Sequence, residues 1–458
     1  MIFVERTTTM FEYVKLKNYK SFENIEFSLL DRNNQPKKMV LIYGENGVGK
    51  SNIASAFFML SETLRTMDVR DIMESLLADD DDRLNNNEEI KKYFRMRYKD
   101  IETLIKENKT VASSEPMLME FGFRINGHSG KYLLETNDSH IIHERLEFIL
   151  TQRRGAYFDI TPSKATISTK IFKDRSSFQA IKKACGKYWG KHTLLSILMH
   201  ESDDKADQYI RNQIEQNFTL LLQFFTRVSC KIKIGSRLER GIIGLPREIL
   251  GEYEGGEIAR RDESILDLTE KMLDTFLRLT YRDIVQAYYK RTYNEDKIQY
   301  QLVITKNIAG KPRDIDFSLE STGTQSLIQQ LPFMLVVVTG SVSVIDEFDV
   351  GIHDLLVKAL ASSLYNSIEG QLIMTTHSTL LMESDIPKEC IYVINENDSG
   401  KKEVQCILHY NNKIGEKNNI RKQYLLGKYS GIPENPTIDF QSLLNTIYSK
   451  KNCHQTKI

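Results

Sequence analysis

Four short stretches of the chain carry residue types and spacings that can do chemistry on phosphates. Leu41-Ile42-Tyr43 runs directly into Gly44-Glu45-Asn46-Gly47-Val48-Gly49-Lys50-Ser51, followed by Asn52. The spacing G-x-x-x-x-G-K-S is a phosphate-binding loop: its glycines let backbone N–H groups turn inward onto phosphate oxygens. Lys50 reaches the β- and γ-phosphates, and the Ser51 hydroxyl can ligate Mg²⁺. Downstream, the apolar run from Val342 to Ile345 ends in Asp346-Glu347. An acid at the end of a strand in such a sheet lies near the metal, so Asp346 can hold Mg²⁺ and Glu347 can polarise the attacking water. A further apolar run, "QLIMTTHST", puts His377 at a strand end, where an imidazole can contact a γ-phosphate. Finally, Ser321-Thr322-Gly323 stands just before a helix, where a hydroxyl and open backbone amides form an anion site far along the chain from the phosphate loop.

The elements that must position these residues follow from periodicity. Residues 11–43 read as strands: "FEYVKLKNYKSF" and "NIEFSLL" alternate, and "KKMVLIY" is a short buried run. After Ser51 the pattern is helical, with Ile53, Ala56, Phe57 and Leu60 on one face. From 61 to 111 the chain is polar and helix-like, with the acid run 79–89 expected as an exposed loop tip. Strand patterns return over 117–150, joined by a hairpin turn at Asn126-Gly127. His128, His140 and His143 fall in this region and are expected to be structural. Residues 176–295 read as mostly helical, with an apolar stripe of Ile265, Leu268, Met272, Leu273, Phe276, Leu279 and Val285. A Gly/Pro-rich loop at 244–257 interrupts it. Strands resume at "KIQYQLVITKN", and residues 390–410 read as a closing hairpin with Asp398 in its turn.

These patterns divide the chain into six parts. Residues 1–60 form an N-terminal lobe with the phosphate loop, 61–111 a helical insertion and 112–175 a β-subdomain. Residues 176–295 form a second helical insertion, 296–395 a C-terminal lobe, and 396–458 a hairpin with a basic tail. The formal net charge is +0, from 62 basic and 62 acidic residues, so the totals favour neither a nucleic-acid nor a membrane-surface partner. Cys185, Cys230, Cys390, Cys406 and Cys453 are scattered without a C-x-x-C pair, the pattern of reduced thiols in a cytoplasmic protein. No export signal or membrane span is expected; Met10 could serve as the start.

The order of phosphate loop, Ser321-containing segment, Asp-Glu strand and histidine resembles that of ABC-type ATPases, in which "LESTGTQSLI" would be the signature motif. "VKLKNYKSFENIEFSL" resembles the opening strands of the SMC/RecF/OLD branch. "EFGFRINGHSGKYLLETNDSHIIHERLEF", "ESTGTQSL", "IDEFDVGIHD" and "IRKQYLLGKYSGIP" resemble the AAA15 family, whose members commonly serve as ATPase subunits of anti-phage and abortive-infection systems of the AbiL, RloA, PARIS and Septu types. The resemblance implies an α/β fold: an ABC-type P-loop head with a β-rich N-terminal subdomain and helical insertions. It implies ATP and Mg²⁺ as cofactors, with Gly44 to Ser51 and Asn52 at the phosphates and Ser51 and Asp346 at the metal. Glu347 would activate water and His377 would sense the γ-phosphate. Ser321 and Gly323 would cap ATP in trans, in a homodimer or higher oligomer, and Asp349 and His353 would communicate across it. Asp354 stands where the family more often has proline.

Relatives of the OLD type fuse a nuclease after the head. The tail here has no D-x-D pair and no H-N-H pattern, so no intrinsic nuclease is expected. It is locally basic (Lys413, Lys417, Arg421, Lys422, Lys428) with Tyr424 and Tyr429 interleaved, a pattern that suits DNA or a docking partner as well as a solvated helix. Two readings stand at this point. One is an ATP-driven sensor-scaffold that holds or releases a separate toxic effector. The other is a DNA-handling ATPase of the SMC/RecF kind.

Overall fold

The computed structural model describes residues 8–78, 98–150, 153–203, 214–234, 238–242, 250–397, 399–410, 419–432 and 438–452. The acid run 79–89, Asp398, Lys413, Lys417 and Cys453 lie outside them.

The alternating N-terminal residues pair as β1 (Thr9–Tyr19) and β2 (Phe22–Ser28), and β3 (Met39–Tyr43), with all five residues buried, enters the phosphate loop. Helices α1 (Lys50–Thr63), α2 (Thr66–Ala78) and α3 (Ile101–Asn108) follow. A meander of β4 (Met117–Ile125), β5 (His128–Thr136), β6 (Ile141–Ile149), β7 (Arg154–Thr161) and β8 (Lys164–Ile167) comes next. Asn126 and Gly127 both have positive φ, 49° and 82°, the primed turn that matches strand twist, as their sequence predicts. With β1 and β2 these strands make one antiparallel sheet, ordered β2-β1-β4-β5-β6-β7-β8.

Helices α4 (Arg175–Tyr188), α5 (Leu194–Asp203) and α6 (Gln216–Thr226) lead to a hairpin of β9 (Ser229–Ile234) and β10 (Leu238–Ile242). A small third sheet is built on β13: β11 (Gly255–Ala259) and β14 (Lys311–Asp316) pair with it, as does β12 (Ile284–Tyr293), and α7 (Glu263–Thr280) packs on β12. Strand β13 itself spans Lys297–Ile308. Then come α8 (Thr322–Val338), β15 (Val342–Ile345), α9 (Asp354–Ser367), β16 (Gln371–Thr375), the hairpin β17 (Ile391–Glu396) and β18 (Lys402–Cys406), α10 (Ile420–Leu425) and α11 (Phe440–Asn452). The central sheet runs β10-β9-β15-β16-β3-β17-β18, parallel from β9 to β17 and closed by an antiparallel strand at each edge.

Helix α1 lies between the antiparallel and central sheets. Beyond the expected face of Ile53, Ala56, Phe57 and Leu60, its Ala54, Phe58 and Met59 are also buried. Phe57 packs edge-on against Phe11 at 4.9 Å and tilted against Phe121 at 5.3 Å, so one phenylalanine bridges helix and sheet. Full burial of such a side chain stabilises by about 1.5–3 kcal/mol. The two sheets are also joined through the buried amide of Gln371, whose Oε1 accepts from Phe11 N at 2.8 Å. Its Nε2 donates to the carbonyls of Phe11 (3.0 Å) and Lys37 (2.9 Å).

Three expectations are corrected. Residues 176–295 are not simply a helical insertion: they contribute β9 and β10 to the central sheet, and β11 and β12 to the third. The helix expected to continue through "DIVQAYY" ends at Thr280, because Tyr281 turns extended and β12 pairs with β13 from Ile284 onward. Its buried face is Leu266, Thr269, Leu273 and Leu277; of the expected stripe, Ile265, Met272 and Phe276 pack partly buried against the same core, while Leu268 and Leu279 are exposed. Third, Tyr424 and Tyr429 do not interleave with basic residues on a surface. Both are buried: Tyr424 packs on Tyr43 at 5.8 Å, and Tyr429 packs on Tyr410 at 5.5 Å. Arg421 is engaged by Glu383 at 3.3 Å.

The four described cysteines are buried free thiols, and among the described residues no helix is long and apolar enough to cross a membrane.

One buried acid makes a test of this packing. Glu144 on β6 is fully buried; its Oε1 accepts from Tyr132 Oη (3.0 Å) and its Oε2 from Leu194 N (2.7 Å) and Trp189 Nε1 (2.8 Å). Burial pushes its carboxyl up to about 7 against these donors. Because the folded pKa lies above the ordinary value, the stabilisation is full at low pH and is lost as pH rises through about 7. Denaturant unfolding followed by the fluorescence of Trp189, the one tryptophan, should lose about 1 kcal/mol between pH 6 and 8. That loss should be absent in Glu144→Gln; an equal slope in both proteins would contradict the assignment.

Candidate functional site: a phosphate cleft at the strand ends

Strands β3, β15 and β16 are adjacent and parallel, so their C-terminal ends bring the phosphate loop, Asp346-Glu347 and His377 to one edge, where open α/β sheets bind ligands. Gly49 caps α1 with φ 119°, and a Cβ there would lie 2.8 Å from the Phe22 ring, so both backbone and space demand glycine. The open amides of the first turn of α1 face the loop without an acidic residue to compete for them. Lys50 is buried and folds over the loop, its Nζ donating to Gly44 O (2.7 Å) and Glu45 O (2.8 Å). Burial lowers its pKa, opposed first by Asp346.

Asp346 is buried at the end of β15. Its Oδ1 accepts from the Thr375 hydroxyl at 2.6 Å, while its Oδ2 is buried without a hydrogen-bond partner. Burial raises its pKa, against the Thr375 and Ser51 hydroxyls. A buried carboxylate oxygen with no donor, beside a serine hydroxyl, fits an oxygen-loving cation such as Mg²⁺. The same Thr375 Oγ1 accepts from Glu347 N at 2.8 Å. Glu347 has φ 52°, a left-handed conformation uncommon for a side-chain-bearing residue, and its Oε2 meets Lys233 Nζ at 2.8 Å. The Asp349 carboxylate accepts from His377 N at 3.1 and 3.2 Å, fixing the backbone that carries the imidazole. Burial, then Lys50, lowers the His377 pKa, so the ring is neutral near pH 7.

These residues open onto a cleft of about 590 Å³. Asn46, Gly47, Gly49, Lys50, Ser51, Asn52, Glu347 and His377 line it. Gly44, Glu45 and Val48 shape the loop from behind: Val48 is buried, and a Cβ on Gly44 would strike it at 2.8 Å. Lys20, Ser21, Lys106 and Lys109 add a second basic wall that sequence reasoning did not single out. "NYKSF" carried the signal for the first two, since a lysine and a serine stand at the turn between two strands. Lys106 on α3 and Lys109 just past its end carry no local mark, because only the fold brings them to the loop.

Ser321 and Gly323 are not in this cleft. Ser321 caps α8, accepting from Thr324 N at 3.2 Å, and is exposed. A Cβ on Gly323 would lie 2.3 Å from Gly351 O, so glycine there permits the close approach of the segment following Glu347. Glu320, buried beside them, pairs with Lys306 at 2.8 Å. His353 caps α9 by accepting from Leu355 N, which puts Asp354 in the first helical turn. An acid suits the helix dipole at a position where proline is equally tolerated, so the departure from the commoner residue leaves the turn intact.

Two family profiles match the chain. One, described as "AAA domain", covers residues 13–226, and the other, described as "AAA domain, putative AbiEii toxin, Type IV TA system", covers residues 214–383. The fold is that of an ABC-type P-loop ATPase head. Among known structures, the head resembles the SMC head domain from Thermotoga maritima at 15% identity and TM-score 0.36, over 87% of this chain and 98% of that one. It also resembles an SMC head bound to the C-terminal winged-helix domain of ScpA, at 16% identity and TM-score 0.41, over 86% and 97%. A Pyrococcus furiosus SMC head with an extended coiled coil matches at 17% identity and TM-score 0.35, over 87% and 96%. These overlays are loose, and the assignment rests on the profiles and on the strand order that carries the motifs. No curated protein matches the chain.

Within the head, Thr375 is the residue on which both acidic positions hang. Thr375→Val keeps its shape but strips Asp346 of a donor and Glu347 N–H of an acceptor. Chemical denaturation should show a loss of about 1–3 kcal/mol. ATP turnover should fall by about tenfold or more, equivalent to ~1.4 kcal/mol in the barrier. Unchanged turnover would show that the threonine does not set the geometry of the pair.

Proposed function

We propose that the chain is a Mg²⁺-dependent ATPase whose sites are completed by a second copy, and that it serves as the ATP-driven sensor-scaffold of an anti-phage, abortive-infection system. The observation that carries the shared-site reading is the position of Ser321: it caps a helix outside its own cleft, exposed, with the open amides of α8 beside it. An anion site so placed has no phosphate of its own chain to bind.

In this reading Gly44 to Ser51 cradle the phosphates, and Asn52 stands at the edge. Ser51 and Asp346 would hold Mg²⁺, which would offset the negative charge of the phosphates. Glu347 accepts a proton from the attacking water, and neutral His377 donates to the γ-phosphate. Ser321 and Gly323 of the partner close the site. The contact of Gly323 with Gly351, two residues beyond Asp349, then links that closure to the Asp349–His377 pair.

Control of a separate toxic effector, a nuclease by class, is supported by the AAA15-like segments and by the toxin–antitoxin description of one matching profile. Closure can hold or free such an effector only through different affinity for the open and closed forms. The burial of Tyr424 and Tyr429 removes the aromatic part of the tail's case for DNA.

Three experiments test the proposal. Lys50→Ala and Ser321→Arg should each abolish hydrolysis, and mixing the two proteins should restore part of it through one intact composite site. Normal hydrolysis by either variant alone would end the shared-site reading. Co-purification with the product of the adjacent gene, followed by toxicity assays with and without phage, tests the effector. The isolated chain with Mg²⁺ and ATP should leave DNA and RNA intact, and cleavage that survives loss of the nucleotide site would overturn the scaffold role.

A further inference from the structure

Lys233 lies outside every motif, on β9, the strand next to β15 on the side away from β16. The parallel register sets Lys231 opposite Ile345, and Asp346 N continues the ladder by donating to Lys231 O at 2.8 Å. Lys233 stands two residues further along β9, level with the segment that follows β15, and its Nζ meets Glu347 Oε2 at 2.8 Å.

The surroundings give the contact its consequence. Asp346, Glu347 and Asp349 crowd three carboxyl groups at the end of β15, and Lys50 is occupied by two loop carbonyls. Glu347 also sits on a left-handed backbone, a conformation that persists only when neighbouring contacts hold it. Its N–H donates to Thr375, its carbonyl accepts from Val350 N at 3.1 Å, and Lys233 ties its side chain. With Oε2 tied, Oε1 is the oxygen left for the cleft. We propose that Lys233 is the positioning residue for Glu347, holding one carboxylate oxygen so that the other is aimed at the attacking water. The proposal rests on the reading of Glu347 as the water-activating group, and it adds the edge hairpin β9–β10 to the parts of the head that govern hydrolysis.

The pair is about one-third exposed, so its loss should cost little stability. The test uses the full chain with saturating Mg²⁺ and ATP, comparing Lys233→Met, Lys233→Arg, Glu347→Gln and the double variant Lys233→Met/Glu347→Gln. Lys233→Met should lower kcat about tenfold or more with KM nearly unchanged. Lys233→Arg, which keeps the charge and the donor, should recover most of the rate. In the Glu347→Gln background Lys233→Met should add almost nothing, because both changes act on one oxygen. A melting curve checks that each variant is folded. Should Lys233→Met not fold, Lys233→Arg is read instead. Near-normal kcat supports the proposal, whereas a loss matching that of Glu347→Gln overturns it.

An unchanged or raised kcat in Lys233→Met, or additive losses in the double variant, would overturn the proposal while leaving Glu347 as the base. Hydrolysis indifferent to Glu347→Gln would instead remove the reading beneath it, and the positioning role with it.

Discussion

One threonine hydroxyl holds the reactive edge of the head together. Thr375 Oγ1 donates to Asp346 and accepts from the N–H of Glu347, so the end of β16 dictates where both acids at the end of β15 stand. Both bonds are inside the protein, where an unpaired group is expensive, and that cost makes the arrangement specific. The sharp left-handed turn at Glu347 follows, as does the approach of Phe348 N to Thr375 O at 3.0 Å. Beyond it the chain reaches Asp349, which returns to His377 on the same side of the sheet. Two strand ends, cross-linked by these four contacts, thus carry Asp346, Glu347 and His377, to which the proposed function assigns the metal, the attacking water and the γ-phosphate.

This edge depends in turn on what lies behind it. The strands of the central sheet are short, and four- or five-residue strands such as β15 and β16 are held by what packs on their faces. Helix α1, buried between two sheets, begins at Lys50 and carries its first turn into the cleft. Gln371, at the start of β16, fastens that strand to β1 and to the carbonyl of Lys37 just before β3. The same strand therefore anchors the layers at one end and orders the chemistry at the other. Tyr424 supports the loop from the far side by packing on Tyr43, which gives the C-terminal segment a role in the head that its charge had suggested for a surface.

Much of the site was legible in the sequence because its signals are local. A glycine-rich turn with Lys50 and Ser51, an apolar strand ending in Asp346-Glu347, and Asn126-Gly127 between alternating runs each need only neighbouring residues to be recognised. The parts that were missed depend on contacts between distant segments. "SCKIKI" is too short and too mixed to announce a strand, and only pairing with β15 makes it β9 and brings Lys233 to Glu347. β12 was read as helix because "DIVQAYY" has no Gly or Pro to separate it from α7, and its strand character comes from β13. Ser321 was identified correctly as a helix-start residue. Its separation from the phosphate cleft is a fact of three dimensions that spacing along the chain only suggested.

The proposed closure of two heads around ATP is open to direct measurement. Its most direct test is the mass in solution of Glu347→Gln, a variant meant to bind ATP without consuming it, measured by light scattering with and without Mg²⁺ and ATP. Without nucleotide the mass should be that of one chain or of a resting assembly, and it should rise by a whole multiple when Mg²⁺ and ATP are added, with Ser321→Arg blocking the rise. ATP binding at full strength with no change in mass, and no effect of Ser321→Arg, would contradict it.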